Sequence, residues 1–276
     1  MKKRKASEVA TPGYRTLWVS DVHLGTPGCK AEALAAFLKH TPCERLYLVG
    51  DIIDGWQLSS QFYWPQEHSN VVRRILTKAK RGTQVFYVAG NHDEFLRKFL
   101  SFNLTIGNIR VVPEHVHVTA DGKRLLVLHG DQFDVITRYH RWLALAGDAA
   151  YNATMRASRI INKARALAGL EYWSLAAFAK KHVKAAVNIV SDFESSVARE
   201  CKRRGFDGVV CGHIHHAEIR GIDGITYHNC GDWVESCTAL AEDHAGRIRI
   251  LRWPQAETTH EPALADLHQA NNSLAA

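Results

Sequence analysis

Five short clusters of oxygen and imidazole donors follow one another along the first 215 residues: Asp21-Val22-His23, Gly50-Asp51-Ile52-Ile53-Asp54, Gly90-Asn91-His92-Asp93, His129-Gly130-Asp131 and Gly212-His213-Ile214-His215. Asp21 and His23 are two apart, which puts both side chains on one side of an extended chain. The Asp51 carboxylate can offer one oxygen to each of two ions. Asn91 adds a neutral amide oxygen, and His129, His213 and His215 complete seven candidate metal ligands. Imidazole mixed with carboxylate suits Mn²⁺, Fe or Zn²⁺ better than Ca²⁺. Two such cations carry four positive charges, and Asp21 and Asp51 return two negatives. The surplus draws a phosphate and a hydroxide together. Ions about 3.5–4 Å apart stabilise both the attacking oxygen and the phosphoryl oxygens of an in-line displacement. The chemistry this donor set fits is hydrolysis of a phosphate ester or anhydride.

His92 is then the histidine left over from metal binding. It sits beside a ligand and is expected to face the substrate, where it can protonate the leaving oxygen. Asp54 is placed to hold that imidazole by a hydrogen bond. Any one cluster alone is an ordinary turn or cap pattern, since Gly and Asn favour turns. The reading rests on five in order, each after an apolar run. His115, His117, His140, His182, His216, His228 and His244 lack that setting and are expected on the surface or satisfied in the core. Asp131 and Asp232 are either supporting carboxylates or turn residues.

The elements that must position these donors read as strands at 16–20, 45–49, 84–89, 110–112, 115–120, 124–128, 208–211, 224–229, 237–241 and 247–252. Each is rich in Val, Ile, Leu or Tyr and bounded by Gly, Pro or Asp. Helical stretches are expected at 30–39 and 68–81. The alternation of strand and helix implies a layered α/β domain with one or two sheets between helices, with ligands at the carboxyl ends of strands. All five clusters fall at such ends.

Between 135 and 204 the alternation stops. This Pro-free stretch holds thirteen Lys and Arg against five Asp and Glu, a net +8 against +7 for the whole chain, so the rest is near neutral. It reads as an inserted basic helical cap. The remaining divisions are a disordered leader at 1–13, a core at 14–134 and 205–253, and a loose tail at 254–276. The 276 residues suffice for a sizeable core. The basic balance favours anionic partners. The six cysteines show no CxxC pair and read as reduced thiols. The basic start is not followed by an apolar stretch, and no apolar run is long enough to span a bilayer, so a cytoplasmic protein is expected.

The ordered clusters resemble the calcineurin-like metallophosphoesterase superfamily across residues 16–215. The resemblance implies an α/β fold built as a four-layer α/β/β/α sandwich, with two divalent ions, usually Mn²⁺. It implies Asp21, His23, Asp51 and His215 on one ion and Asp51, Asn91, His129 and His213 on the other, with His92 and Asp54 as a catalytic dyad. Within the superfamily, 20–25, 50–56 and the insertion before Gly212 look like the UDP-2,3-diacylglucosamine diphosphatases of lipid A biosynthesis. The better-known members of that group carry Arg where this chain has His92, the general superfamily residue. This resemblance implies a lipid-linked nucleotide-sugar substrate, cleaved to UMP and 2,3-diacylglucosamine 1-phosphate. It also implies peripheral contact with the anionic inner membrane surface. A phosphodiesterase or phosphatase acting on another nucleotide, nucleic-acid or lipid phosphate is the alternative. No recognisable nucleic-acid module is present, so no nucleic acid partner is expected.

Overall fold

Strict alternation in the strands builds the layers. The computed structural model describes residues 13–100, 104–133 and 190–253. Seven strands form the first sheet, in the order β12-β11-β1-β2-β3-β5-β4. These are β1 (Tyr14–Val19), β2 (Cys43–Val49), β3 (Gln84–Val88), β4 (Thr105–Ile106), β5 (Ile109–Val112), β11 (Thr238–Glu242) and β12 (Ile248–Arg252). Its centre, β1-β2-β3-β5, is parallel, and β4, β11 and β12 add antiparallel edges. The second sheet runs β6-β7-β8-β10-β9. It comprises β6 (His115–Val118), β7 (Arg124–Val127), β8 (Gly208–Cys211), β9 (Glu218–Ile222) and β10 (Ile225–Asn229), with β7, β8 and β10 parallel.

Successive side chains of a strand point to opposite faces, and the core divides accordingly. Leu17, Val19, Leu46, Leu48, Val85 and Tyr87 face outward onto α1 (Ala31–His40) and α3 (Gln66–Lys80). Trp18, Tyr47, Val49, Phe86 and Val88 face inward and meet Leu125, Val127 and Val210 of the second sheet. Leu126, Leu128, Val209 and Cys211 face out on the far side, against α5 (190–203). The result is four layers, α/β/β/α, as expected. Trp18, Tyr47 and Phe86 are partners in register on three adjacent strands. Their rings stack at 5.9 and 4.9 Å, a cross-strand ladder that pins the register between the sheets.

Helix α5 comes from the stretch read as an insertion. Phe193, Val197 and Cys201 recur every four residues and are buried against the second sheet, so this part supplies the fourth layer. The rest of the expected cap, with most of the leader and the tail, lies outside the described residues.

Other differences are local. A short helix α2 (Gly55–Ser60) and a single turn α4 (Glu94–Arg97) follow the second and third clusters directly. Strand β9 was not anticipated, because Glu218, Arg220 and Gly221 dilute its apolar pattern. Its signal was the turn: Asp223 and Gly224 both take positive φ, 49° and 86°, the conformation of a two-residue hairpin loop.

Candidate metal centre

Every cluster leaves the carboxyl end of a parallel strand: Asp21 after β1, Asp51 after β2, Asn91 after β3, His129 after β7 and His213 after β8. The two sheets therefore present their donors at one shared rim. The loops are fastened to each other by backbone bonds. Asp21 N donates to Gly50 O at 3.1 Å, His23 N to Asp51 O at 2.9 Å, and Gly212 N to His129 O at 3.1 Å. Asp21, His23, Asp51, His213 and His215 all adopt positive φ, between 51° and 73°. Left-handed backbone is unfavourable for such residues and gathers where function requires it.

Two groups of donors converge. Asp21, His23 and His215 place ligand atoms within 4.8 Å of one another, and so do Asp51, His129 and His213. Asp51 Oδ2 stands between the groups, 3.3 Å from His129 Nε2 and 4.0 Å from His23 Nε2. In the first group, Asp21 Oδ1 is 3.1 Å from His215 Nε2, and His23 Nε2 is 3.4 Å from His215 Nε2. Ligands about 2.0–2.2 Å from a shared ion stand about 2.8–3.6 Å apart, from octahedral to tetrahedral geometry, so the spacings of 3.1, 3.3 and 3.4 Å fit a cation. Asn91 is buried and its Oδ1 takes no hydrogen bond among the described residues. A buried amide oxygen without a donor is costly, and a cation would satisfy it. His129 Nδ1 lies 3.0 Å from the Val49 carbonyl. A carbonyl only accepts, so Nδ1 carries a proton, and Nε2, which faces Asp51, is the nitrogen that would offer its lone pair to a bound cation. The donor set fits two divalent ions.

Glycines make room for this approach. A Cβ on Gly90 would collide with Asp51 Oδ1, and one on Gly212 with Asp21 Oδ2 and Ser20 Oγ.

Electrostatics follow from burial and pairing. Burial pushes Asp51 up, but the His129 imidazole pulls it down to about 2. Burial opposes the charge of His129, but Asp51, together with Asp21 and Asp131, raises it to about 10. Burial likewise opposes Asp21 and Asp54, yet histidine partners hold both well below the usual carboxylate range.

His92 Nδ1 lies 2.9 Å from Asp54 Oδ2. The same oxygen also stands 3.0 Å from His23 Nδ1. Asp54 thus touches both the residue read as an acid and a candidate metal ligand, while its Oδ1 caps α2 by accepting from Gln57 N. His92 Nε2 points toward Asp51 Oδ2 at 3.9 Å.

Three residues beside the clusters matter that sequence reasoning did not assign. Asp93 is fully buried and accepts from Ile52 N, Ile53 N, Gly90 N and Tyr87 Oη. It pins the Asp51 turn to the Asn91 turn, and its position directly after Asn91-His92 was the available signal. Trp56 stacks on His92 with ring centres 4.2 Å apart. Buried His68, on α3, accepts from Gly25 N and steadies the turn after His23. Asp131 pairs with Arg97 at 2.8 Å, and Asp232 caps the turn at 234–236, which makes Asp232 a turn residue. His117 and His228 are buried in the core with partners, at Glu242 and the Val209 carbonyl.

A four-layer sandwich that brings two carboxylate–imidazole groups to one rim defines a metal-dependent phosphoesterase. The chain belongs to the calcineurin-like phosphoesterase family, whose pattern matches residues 14–217. It is 24% identical over 250 residues to the UDP-2,3-diacylglucosamine hydrolase of Neisseria meningitidis serogroup B, covering 87% of this chain and 94% of that one. It is 25% identical over 209 residues to the protein of the same name from Edwardsiella ictaluri, covering 74% and 77%. Among solved structures it is similar to the E. coli phosphoesterase Yfce, with a TM-score of 0.39 and 17% identity over 86% of this chain and 97% of that one. No helix among the described residues is long and apolar enough to cross a membrane.

Proposed function

We propose that the chain hydrolyses the pyrophosphate of UDP-2,3-diacylglucosamine, giving UMP and 2,3-diacylglucosamine 1-phosphate. The observation that carries the reading is Asp51 Oδ2, within 4.0 Å of imidazoles on both sides, between two groups whose spacing fits cations. Asp21, His23, Asp51 and His215 would hold one ion, and Asp51, Asn91, His129 and His213 the other. Mn²⁺ is the metal proposed. When bound, the ions supply Lewis acidity and a hydroxide at neutral pH. His92, held by Asp54, gives a proton to the bridging oxygen as the P–O–P linkage opens, and the water oxygen stays on the phosphate attacked. The relatives of that name support the substrate. So do the exposed aromatic side chains of Trp56, Phe62 and Phe95 on or beside α2 and α4, which suit an apolar substrate portion. The proposed location is cytoplasmic, against the inner membrane surface.

A second reading, another nucleotide or lipid phosphate, is favoured by His92 itself, which stands where the better-known diphosphatases carry Arg. The deciding test is Mn²⁺-dependent UMP release from UDP-2,3-diacylglucosamine, with Asp51→Ala as control. Release lost in the variant supports the first reading. No release, with metal-dependent hydrolysis of a chromogenic diester retained, selects the second.

A further inference from the structure

The opposite end of the first sheet carries a second concentration of charge. The starts of β2 and β3 and the last turns of α1 and α3 enclose a hollow of about 220 Å³. Lys39, Arg74, Lys78 and Arg81 line it, and among the described residues no acidic one does. Lys78 is anchored there, its Nζ donating to the Thr41 carbonyl at 2.8 Å. Lys39, Arg74 and Arg81 form no ion pair with a carboxylate among the described residues. Glu44, next to Cys43 in the sequence, is exposed and lies 3.8 Å from His244. Glu32 and Glu67 sit in the first turns of α1 and α3, at the far ends of those helices.

Basic residues at helix C-termini ordinarily answer the helix dipole. Each C-terminus carries about half a negative charge, so two of them call for about one cation. Four cations leave a surplus of about three. That surplus is repulsive in the free protein and favours an anion from solution. Guanidinium groups grip phosphate oxygens in pairs, and lysine adds a point charge. The hollow is smaller than the roughly 300–1,000 Å³ that encloses a drug-sized ligand, so it takes a phosphate group and little else.

We infer that this hollow is a second anion site, recognising a phosphate group either as free inorganic phosphate or as the monoester headgroup of a lipid. It is separate from the metal centre. Strand β2 runs seven residues from Cys43, at the hollow, to Val49, just before Asp51. At about 3.3 Å per residue the two sites stand roughly 20 Å apart, too far for one phosphate to serve both. The inference does not depend on which substrate the metal centre cleaves.

The test compares Mn²⁺-loaded wild type with Arg74→Gln/Arg81→Gln, neither residue being part of the metal centre. Inorganic phosphate is titrated by calorimetry and thermal melting. Phosphatidylcholine vesicles with and without phosphatidic acid are the second probe. Chromogenic diester turnover should match in the two proteins, while wild type binds one more phosphate. At ten times its Kd that extra ion raises Tm by about 3–6 °C, a shift missing from the variant. A difference seen only with phosphatidic acid vesicles identifies the ligand as a lipid headgroup. Should the double variant fail to fold, exposed Lys39→Gln alone is expected to weaken phosphate binding several-fold. Equal phosphate stoichiometry and equal vesicle retention in wild type and variant would overturn the inference.

Discussion

Replacing Asp93 by Asn tests whether one buried carboxylate holds the metal-binding turns in place. Its Oδ1 accepts from Ile53 N at 2.9 Å and Tyr87 Oη at 2.6 Å; its Oδ2 accepts from Ile52 N at 3.2 Å and Gly90 N at 3.3 Å. The amide keeps one oxygen, which can retain the two shorter bonds. Its NH₂ then faces two backbone donors that have lost their acceptor. A stranded buried donor costs about 1–3 kcal/mol, so the variant should lose about 3 kcal/mol. At about 2–4 °C per kcal/mol for a chain near this size, Tm falls by about 6–12 °C. One effect opposes this. Burial raises the Asp93 pKa, and the nearby Asp51 charge raises it further, so neutralising Asp93 relieves repulsion in the metal-free protein. Melting should therefore be followed with Mn²⁺ bound, where the cations offset that repulsion. Because Ile52 and Ile53 carry the turn after Asp51, apparent metal affinity should also drop about 10–100-fold, the usual effect of losing a ligand's supporting bond. An Asp93→Asn protein that melts within a degree of wild type and binds Mn²⁺ equally would refute the reasoning.

Gly212→Ala should abolish diester hydrolysis and cut metal stoichiometry, because its Cβ displaces the Asp21 carboxylate; Gly221→Ala, with open space around it, is the matched control in the same assay. Trp56→Ala removes the ring stacked on His92. An aromatic pair is worth about 0.5–1.5 kcal/mol, so kcat/KM on a chromogenic diester should fall about 2–12-fold. His68, His115, His117 and His228 are all lowered, chiefly by burial, His115 to about 4. A base whose pKa is lowered by folding stabilises the fold above its unfolded value near 6.5 and loses that contribution as pH falls. His129, raised to about 10 without metal, works the other way, contributing fully below 6.5 and losing it as pH rises toward 10. Urea midpoints of the metal-free protein should therefore peak near pH 6.5, and His117→Asn should flatten the acid side.

The site was far more legible in the sequence than the insertion or the edges of the sheets. Asp21, Asp51, Asn91, His129 and His213 each follow a dense apolar strand whose burial on both faces leaves little choice of structure. Strand ends are where parallel sheets deliver side chains, so order along the chain translated into proximity. Edge elements carry no such constraint. Strand β4 has two residues, both exposed, and β9 mixes Glu218, Arg220 and Gly221 with two isoleucines, so their pattern reads as loop. Helix α5 falls in the basic insertion on sequence alone because it lies in the Pro-free stretch 135–204, where the strand–helix alternation stops. The buried row of Phe193, Val197 and Cys201 decides its place instead. Asp54 was matched to His92 by spacing, whereas its second partner, His23, depends on how closely the β1 and β2 turns are bonded, which no local pattern encodes.

Strand β1 is bracketed by β2 on one side and β11 on the other, and Thr16 pairs with Glu242 roughly 220 residues later. During synthesis at about 5–20 residues per second, that edge waits about 10–45 s for its neighbour. Contacts this distant in sequence slow folding. Through that interval Asp21 and His23 hang from a half-paired strand, so the centre can mature only once residues 238–242 have been made. An early metal ion would meet scattered donors, and the nascent chain would present an open strand edge to chaperones and to its own copies.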